Sequence, residues 1–121
     1  MRSWLSLLIV VGCGTDAVPQ QSAPADPTDP DACGTSYLTY DTFGAQFSAN
    51  WCRGCHASAI PEGGRQGAPI GVNFDTEGDL LHWASRIRVR ATGDTPTMPP
   101  AGGPSAAERA QLAEWIDCGM K

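Results

Sequence analysis

The chain has few basic residues and no apolar run long enough to cross a membrane. It contains 8 Lys and Arg against 13 Asp and Glu, a formal net charge of −5. Proteins that bind nucleic acid neutralise phosphates with clustered Lys and Arg, so this balance argues against a nucleic-acid partner. The apolar stretch at residues 5–11 is far shorter than the roughly 20 residues of a spanning helix, which argues against a permanent transmembrane anchor.

Several functional patterns are also missing from the sequence. It has no phosphate-binding loop, no recognisable catalytic dyad and no basic patch. No alternating apolar pattern typical of strands competes with the helical patterns described below. We therefore expect an all-α protein.

The N-terminus has the features of an export signal. Arg2 precedes the apolar stretch, and Val10-Val11-Gly12-Cys13 resembles the lipobox of bacterial lipoproteins, in which the cysteine is acylated and becomes the new N-terminus. That resemblance implies a signal peptide at 1–12 and a lipid on Cys13 that anchors the protein to a bacterial membrane, at its periplasmic or cell-surface face. The alternative is ordinary cleavage, which leaves Cys13 as a free thiol.

Residues 13–32 are rich in proline and contain almost nothing large and apolar. Such a segment cannot bury a core, so it is predicted to be a disordered tether. The folded domain is predicted to span 33–121.

Three helices are predicted in this domain, over residues 39–51, from 75 or 76 to about 90, and from 105 to a stop at 119. In the first, aromatic residues recur at spacings of three and four. The third begins with the capping box Ser105-Ala106-Ala107-Glu108. The loops between them, 57–73 and 91–103, are long for so small a domain unless a large prosthetic group fills them.

The motif Cys52-Arg53-Gly54-Cys55-His56 has the spacing of a c-type haem attachment site. The two thiols add to the two haem vinyl groups, and the histidine that follows reaches the iron. A zinc site would need four ligands, for which the chain offers few other candidates, and a thioredoxin-like dithiol would need a βαβ context. We therefore predict one covalent haem c at Cys52 and Cys55, with His56 on the iron.

The five cysteines can then be assigned. Cys13 takes the lipid and Cys52 and Cys55 take the haem, which leaves Cys33 and Cys118. Export implies an oxidising compartment, in which this pair can form a disulfide. The sequence alone leaves open whether the two are bonded.

The domain resembles the small class I cytochromes c. The resemblance covers about residues 39–119 and rests on the haem motif, on Thr97-Met98-Pro99-Pro100 and on the closing helix from Ser105 to Ile116. It implies a three-helix minimal cytochrome c fold wrapped around one haem, with the last helix packed across the first. It also implies His56 as the proximal ligand and Met98 as the distal one.

The residues themselves favour Met98 as the sixth ligand. Prolines at 96, 99 and 100 stiffen its loop, which reduces the entropy lost when the sulfur is held. Met120 sits at the chain end beyond Gly119. His82 would give bis-histidine ligation, but it lies within the second predicted helix and not in a pliant loop.

The resemblance also implies a backbone carbonyl that orients the proximal imidazole, from a proline in the loop after the motif. Pro69 matches that position, and Pro61 is the weaker option.

The arginines at 86, 88 and 90 alternate along the second helix and are interpreted as solvated helix-end charges.

The expected function is that of a one-electron carrier at the outer face of a membrane, not an enzyme, because two protein ligands on the iron leave no position for a small-molecule substrate. Its partners are expected to be redox proteins, whose identity the sequence does not indicate. The alternatives are a haem-based sensor or peroxidatic protein with an open sixth position, and a haem-bearing accessory module of a membrane complex.

Overall fold

The computed structural model describes residues 31–121, and all regular structure in that range is helical. The predicted signal peptide, Cys13 and the tether up to residue 30 lie outside the described residues. Between residues 31 and 121 no helix is long and apolar enough to cross a membrane. The helices are α1 (Ala32–Thr35), α2 (Ala45–Trp51), α3 (Arg53–His56), α4 (Glu77–Ala91) and α5 (Ala106–Asp117), with a π-helical turn at Tyr40–Gly44 and a 3-10 turn at Glu62–Gly64.

The three predicted helices are confirmed, and local capping chemistry explains where each begins. Thr39, Thr76 and Ser105 each accept a hydrogen bond from the backbone N–H three residues later, and the side chain at that position accepts from the cap's own N–H. Each reciprocal pair satisfies two backbone donors that would otherwise lack a partner. The π-helical turn runs directly into α2, so the first predicted helix is present as one continuous segment of two geometries.

The hydrophobic core lies where α5 meets the π-helical turn. Trp115 is 1% exposed, and its ring lies 5.9 Å from that of Phe43. A Cβ atom at Gly44 would overlap the Trp115 indole. Leu80 and Ile87 of α4 belong to the same core. Only glycine at position 44 therefore lets α5 approach this closely.

Cys33 and Cys118 form a disulfide, with an S–S distance of 2.02 Å, which confirms the predicted pairing. The bond joins α1 to the residue that follows α5, across a sequence separation of 85. Closing a loop of that length stabilises the fold by about 4 kcal/mol, because it restricts the unfolded chain.

Candidate functional site

A cavity of about 440 Å³ is bordered by α2, α3, α4 and the two long loops. Its volume falls in the range of about 300–1,000 Å³ that is typical of cofactor and ligand sites. The predicted haem ligands and attachment cysteines all line it, together with apolar side chains. The lining includes Phe47, Trp51, Cys52, Cys55, His56, Val72, Phe74, Trp83, Ile87, Met98, Pro99 and Pro100.

The cysteine motif forms a single helical turn at the cavity wall. The N–H groups of Cys55 and His56 both donate to the carbonyl oxygen of Cys52, at 3.2 and 3.0 Å. This turn brings both half-buried thiols and the imidazole to the same cavity. Burial raises the pKa of the Cys52 thiol to about 12, which is the opposite of the lowered pKa that a reactive dithiol needs.

His56 is held by three contacts with the loop that follows it. Its Nδ1–H donates to the carbonyl oxygen of Val72 at 2.9 Å, and its ring lies 4.5 Å from the ring of Phe74. The Phe74 N–H donates to the His56 carbonyl oxygen at 2.8 Å. Because a carbonyl accepts the Nδ1 proton, Nε2 keeps its lone pair for a metal.

The prediction that Pro69 supplies the carbonyl for His56 is wrong by three residues. A turn closes between the two residues, in which the Val72 N–H donates to the Pro69 carbonyl oxygen at 3.2 Å. The Pro69 oxygen also accepts from Arg65 Nη2 at 3.1 Å. The turn thus uses the Pro69 carbonyl internally, and the Val72 carbonyl faces the imidazole.

Arg65 is a fully buried residue of this loop, 1% exposed, which the sequence analysis did not identify. Its Nη1 donates to the Ala57 carbonyl oxygen at 2.7 Å, and its Nη2 donates to the Val72 oxygen at 2.8 Å and to Asn73 Oδ1 at 3.0 Å. Arg65 and His56 therefore share one acceptor. A buried guanidinium fixes the loop and places a positive charge near the imidazole.

Met98 lines the cavity and is 38% exposed. The N–H groups of Thr97 and Met98 donate to the Arg90 carbonyl oxygen near the end of α4, at 2.8 and 2.9 Å. On the other side, Arg109 Nη1 donates to the Met98 carbonyl oxygen at 2.8 Å. The loop is thus attached to both α4 and α5 through the main chain of this one residue.

The two rival ligands lie elsewhere. Met120 is 3% exposed and belongs to the hydrophobic core. His82 is exposed on α4, with its ring 5.0 Å from that of Trp83, and it is not among the residues that line the cavity. Met98 and His56 are therefore the methionine and histidine that the cavity brings together.

The charges around the cavity are of one sign, although the protein as a whole is acidic. Arg65, Arg86 and Arg90 line it, and no Asp or Glu does. Arg88 points away and binds Asp117 with two hydrogen bonds of 3.0 Å. The interpretation of all three α4 arginines as solvated charges is therefore incomplete, because Arg86 and Arg90 face the cavity one turn apart. A flat apolar ligand with two carboxylates, such as haem, suits this lining.

Two further observations complete the description of the site. Among residues 31–121, no three His, Cys, Asp or Glu side chains are grouped as ligands for a metal ion. A haem iron takes at most two ligands from the protein, so a group of three is not required to bind it. Comparison with protein-family models, with curated proteins and with solved structures finds no match to this chain.

Proposed function

We propose that this protein is a small c-type cytochrome that carries single electrons, with a haem bonded to Cys52 and Cys55 and ligated by His56 and Met98. The observation that carries the proposal is the meeting of two thiols, one imidazole and one thioether at a single cavity. The resemblance to the small class I cytochromes c supports it, as does the all-helical structure of the described residues. When bound, the haem supplies a reversible one-electron couple at the iron.

The protein's own residues determine what that couple does. His56 presents Nε2 in a fixed ring orientation, and Met98 presents a thioether. Histidine and methionine together raise the reduction potential relative to two histidines. Two protein ligands would leave no position on the iron for a substrate, which favours electron transfer over catalysis.

Other side chains would bind the porphyrin itself. Arg86 and Arg90 offer two guanidinium groups for the two propionates. Trp51, Trp83 and Phe47 line the cavity with aromatic surface and would exclude water from the cofactor. Together with the two arginines they would hold the macrocycle in one orientation.

The proposed location follows from the N-terminal sequence. A lipid on Cys13 would anchor the protein to a bacterial membrane, and the proline-rich tether would let the domain reach redox proteins at the periplasmic or cell surface. The acidic net charge of −5 suits a partner with a basic docking face.

The test is a comparison of two methionine variants. The ferric wild type should show the weak long-wavelength absorption band of methionine bound to Fe(III). Met98→Ala should lose this band, and Met120→Leu, altered in the core, should keep it. Survival of the band in Met98→Ala would contradict the assignment of the sixth ligand.

A second function is favoured by the exposure of Met98, which is 38%. A thioether that leaves the iron readily would open the sixth position for sensing or peroxidatic chemistry. Binding of carbon monoxide to the reduced protein separates the two functions. Slow binding in the wild type and fast binding in Met98→Ala support a carrier, whereas fast binding in both supports the second function.

A further inference from the structure

Arg109 is a buried arginine of α5, 8% exposed. Its Nε donates to the carbonyl oxygen of Pro104 at 3.2 Å, and its Nη1 donates to those of Ala91 at 2.7 Å and Met98 at 2.8 Å. All three acceptors are main-chain carbonyl oxygens. The Arg109 guanidinium therefore binds main-chain atoms, which are less mobile than the acceptors of another side chain.

The three acceptors mark the two ends and the middle of one loop. Ala91 is the last residue of α4, and Pro104 immediately precedes Ser105, the cap of α5. Met98 lies between them. One guanidinium thus ties the whole segment to α5, and hydrogen bonds from a charged donor are about twice as strong as neutral ones.

We propose that Arg109 is the positioning residue for Met98, and that it sets how readily the thioether leaves the iron. The inference rests on the proposed function. Arg109 acts through the Met98 main chain and does not touch the cofactor. Since the carbonyl is held, the side chain explores a smaller volume, and fewer of its conformations take the sulfur away from the ligating position.

The experiment measures competition for the sixth position. Imidazole binds ferric haem only where Met98 has left it, so its affinity reports the fraction of open protein. We expect Arg109→Gln to bind imidazole about ten- to a hundredfold more tightly than the wild type, the factor expected when a hydrogen bond to a charged group is lost. Arg109→Lys keeps the charge but cannot reach all three carbonyls, so it should fall between the two.

Asp117→Asn is the matched control. Asp117 also lies on α5 and hydrogen-bonds across to another helix, but its partner is Arg88 of α4 and no residue of the Met98 loop. Its imidazole affinity should stay at the wild-type value. Equal affinities in wild type, Arg109→Gln and Arg109→Lys would overturn the proposal, even if the Arg109 variants were less stable, because Arg109 would then be structural only.

A measurement on the wild type covers the case in which the variants do not fold. In the ferric holoprotein, the Arg109 guanidinium protons should be protected from exchange, and added imidazole should speed their exchange by displacing Met98. Exchange that is fast from the start, or unchanged by imidazole, would contradict the proposal. If the wild type holds no haem, or lacks the long-wavelength band, the proposed function fails instead, so the two failures are distinguishable.

Discussion

The two sides of the cavity hold the two proposed iron ligands in different ways. On the proximal side, the His56 ring is fixed directly, by the Val72 carbonyl oxygen at 2.9 Å and by the Phe74 ring at 4.5 Å. Behind it lies Arg65, 1% exposed, which binds the same carbonyl. The contacts on the proximal side therefore hold the His56 imidazole itself.

On the distal side, the contacts reach only the main chain of Met98. Its N–H donates to the Arg90 carbonyl oxygen and its carbonyl accepts from Arg109, while the side chain is 38% exposed. In the proposed cytochrome, loss of an iron ligand would therefore begin at the distal side. The choice between a carrier and a ligand-binding haem protein would be decided there.

The largest effect is expected from removing the two ligands in turn. His56→Ala should lose most of its haem during maturation, because the iron loses its rigidly held ligand. Met98→Ala should keep its haem, because the thioethers and His56 remain. The ratio of haem to protein in the purified variants checks this. Equal haem retention in both variants would contradict the proposed difference between the proximal and distal sides of the cavity.

Removing the disulfide should destabilise the proximal and distal sides of the cavity equally. The Cys33→Ser/Cys118→Ser variant should lose about 4 kcal/mol of unfolding free energy, measured by urea denaturation, because the unfolded chain regains the entropy of a long loop. Its long-wavelength band should match that of the wild type, since neither cysteine lines the cavity. A lost band would show that the bond is part of the haem site.

Replacing Arg65 tests the rigidity of the proximal side. Arg65→Met should lower the unfolding free energy by about 3 kcal/mol, because several buried acceptors are left without a donor. Arg88→Met removes a partly exposed pair with Asp117 and one hydrogen bond to Thr92 Oγ1, and should cost only about 1 kcal/mol. Similar losses for the two variants in urea denaturation would contradict the rigid proximal loop.

The smallest effect concerns Asp75, which accepts from the Ser58 N–H at 2.7 Å and lies 3.6 Å from Arg53. The hydrogen bond, more than the charge of Arg53, lowers the pKa of this carboxyl below its usual 3.8. The contribution is therefore present above about pH 4 and disappears as the pH falls through the lowered pKa.

Asp75→Asn should accordingly be less stable than the wild type at neutral pH, by less than about 1 kcal/mol, and the difference should shrink in acid. Thermal unfolding at a series of pH values measures it. A difference that persists unchanged in strong acid would mean that packing, not ionisation, is responsible.

Local patterns were enough to predict the helices and to identify the cysteine motif as a candidate site, because the causes are local. The Ser105 capping box and the spacing of Cys52, Cys55 and His56 each lie within a few residues of sequence. The acceptor for His56 was misplaced at Pro69 because a carbonyl's direction depends on how the following turn closes.

The buried arginines could not be predicted, since their partners are distant or lie in loops. Arg109 reaches Ala91, 18 residues away, and Arg65 reaches Ala57, eight residues away. In the sequence both resemble surface charges. One sequence feature hinted at a structural role for Arg65: it lies in a glycine- and proline-rich loop, which has no helix or strand of its own to hold it in place.

The most direct test of the account is a mass measurement. The chain is exported in a bacterium with a c-type haem maturation system, beside a known c-type cytochrome as a control, then denatured and digested. The account predicts one haem on the peptide that contains residues 52–56, and none when both cysteines are replaced by serine. Free thiols at Cys52 and Cys55, with the control cytochrome fully matured, would contradict it.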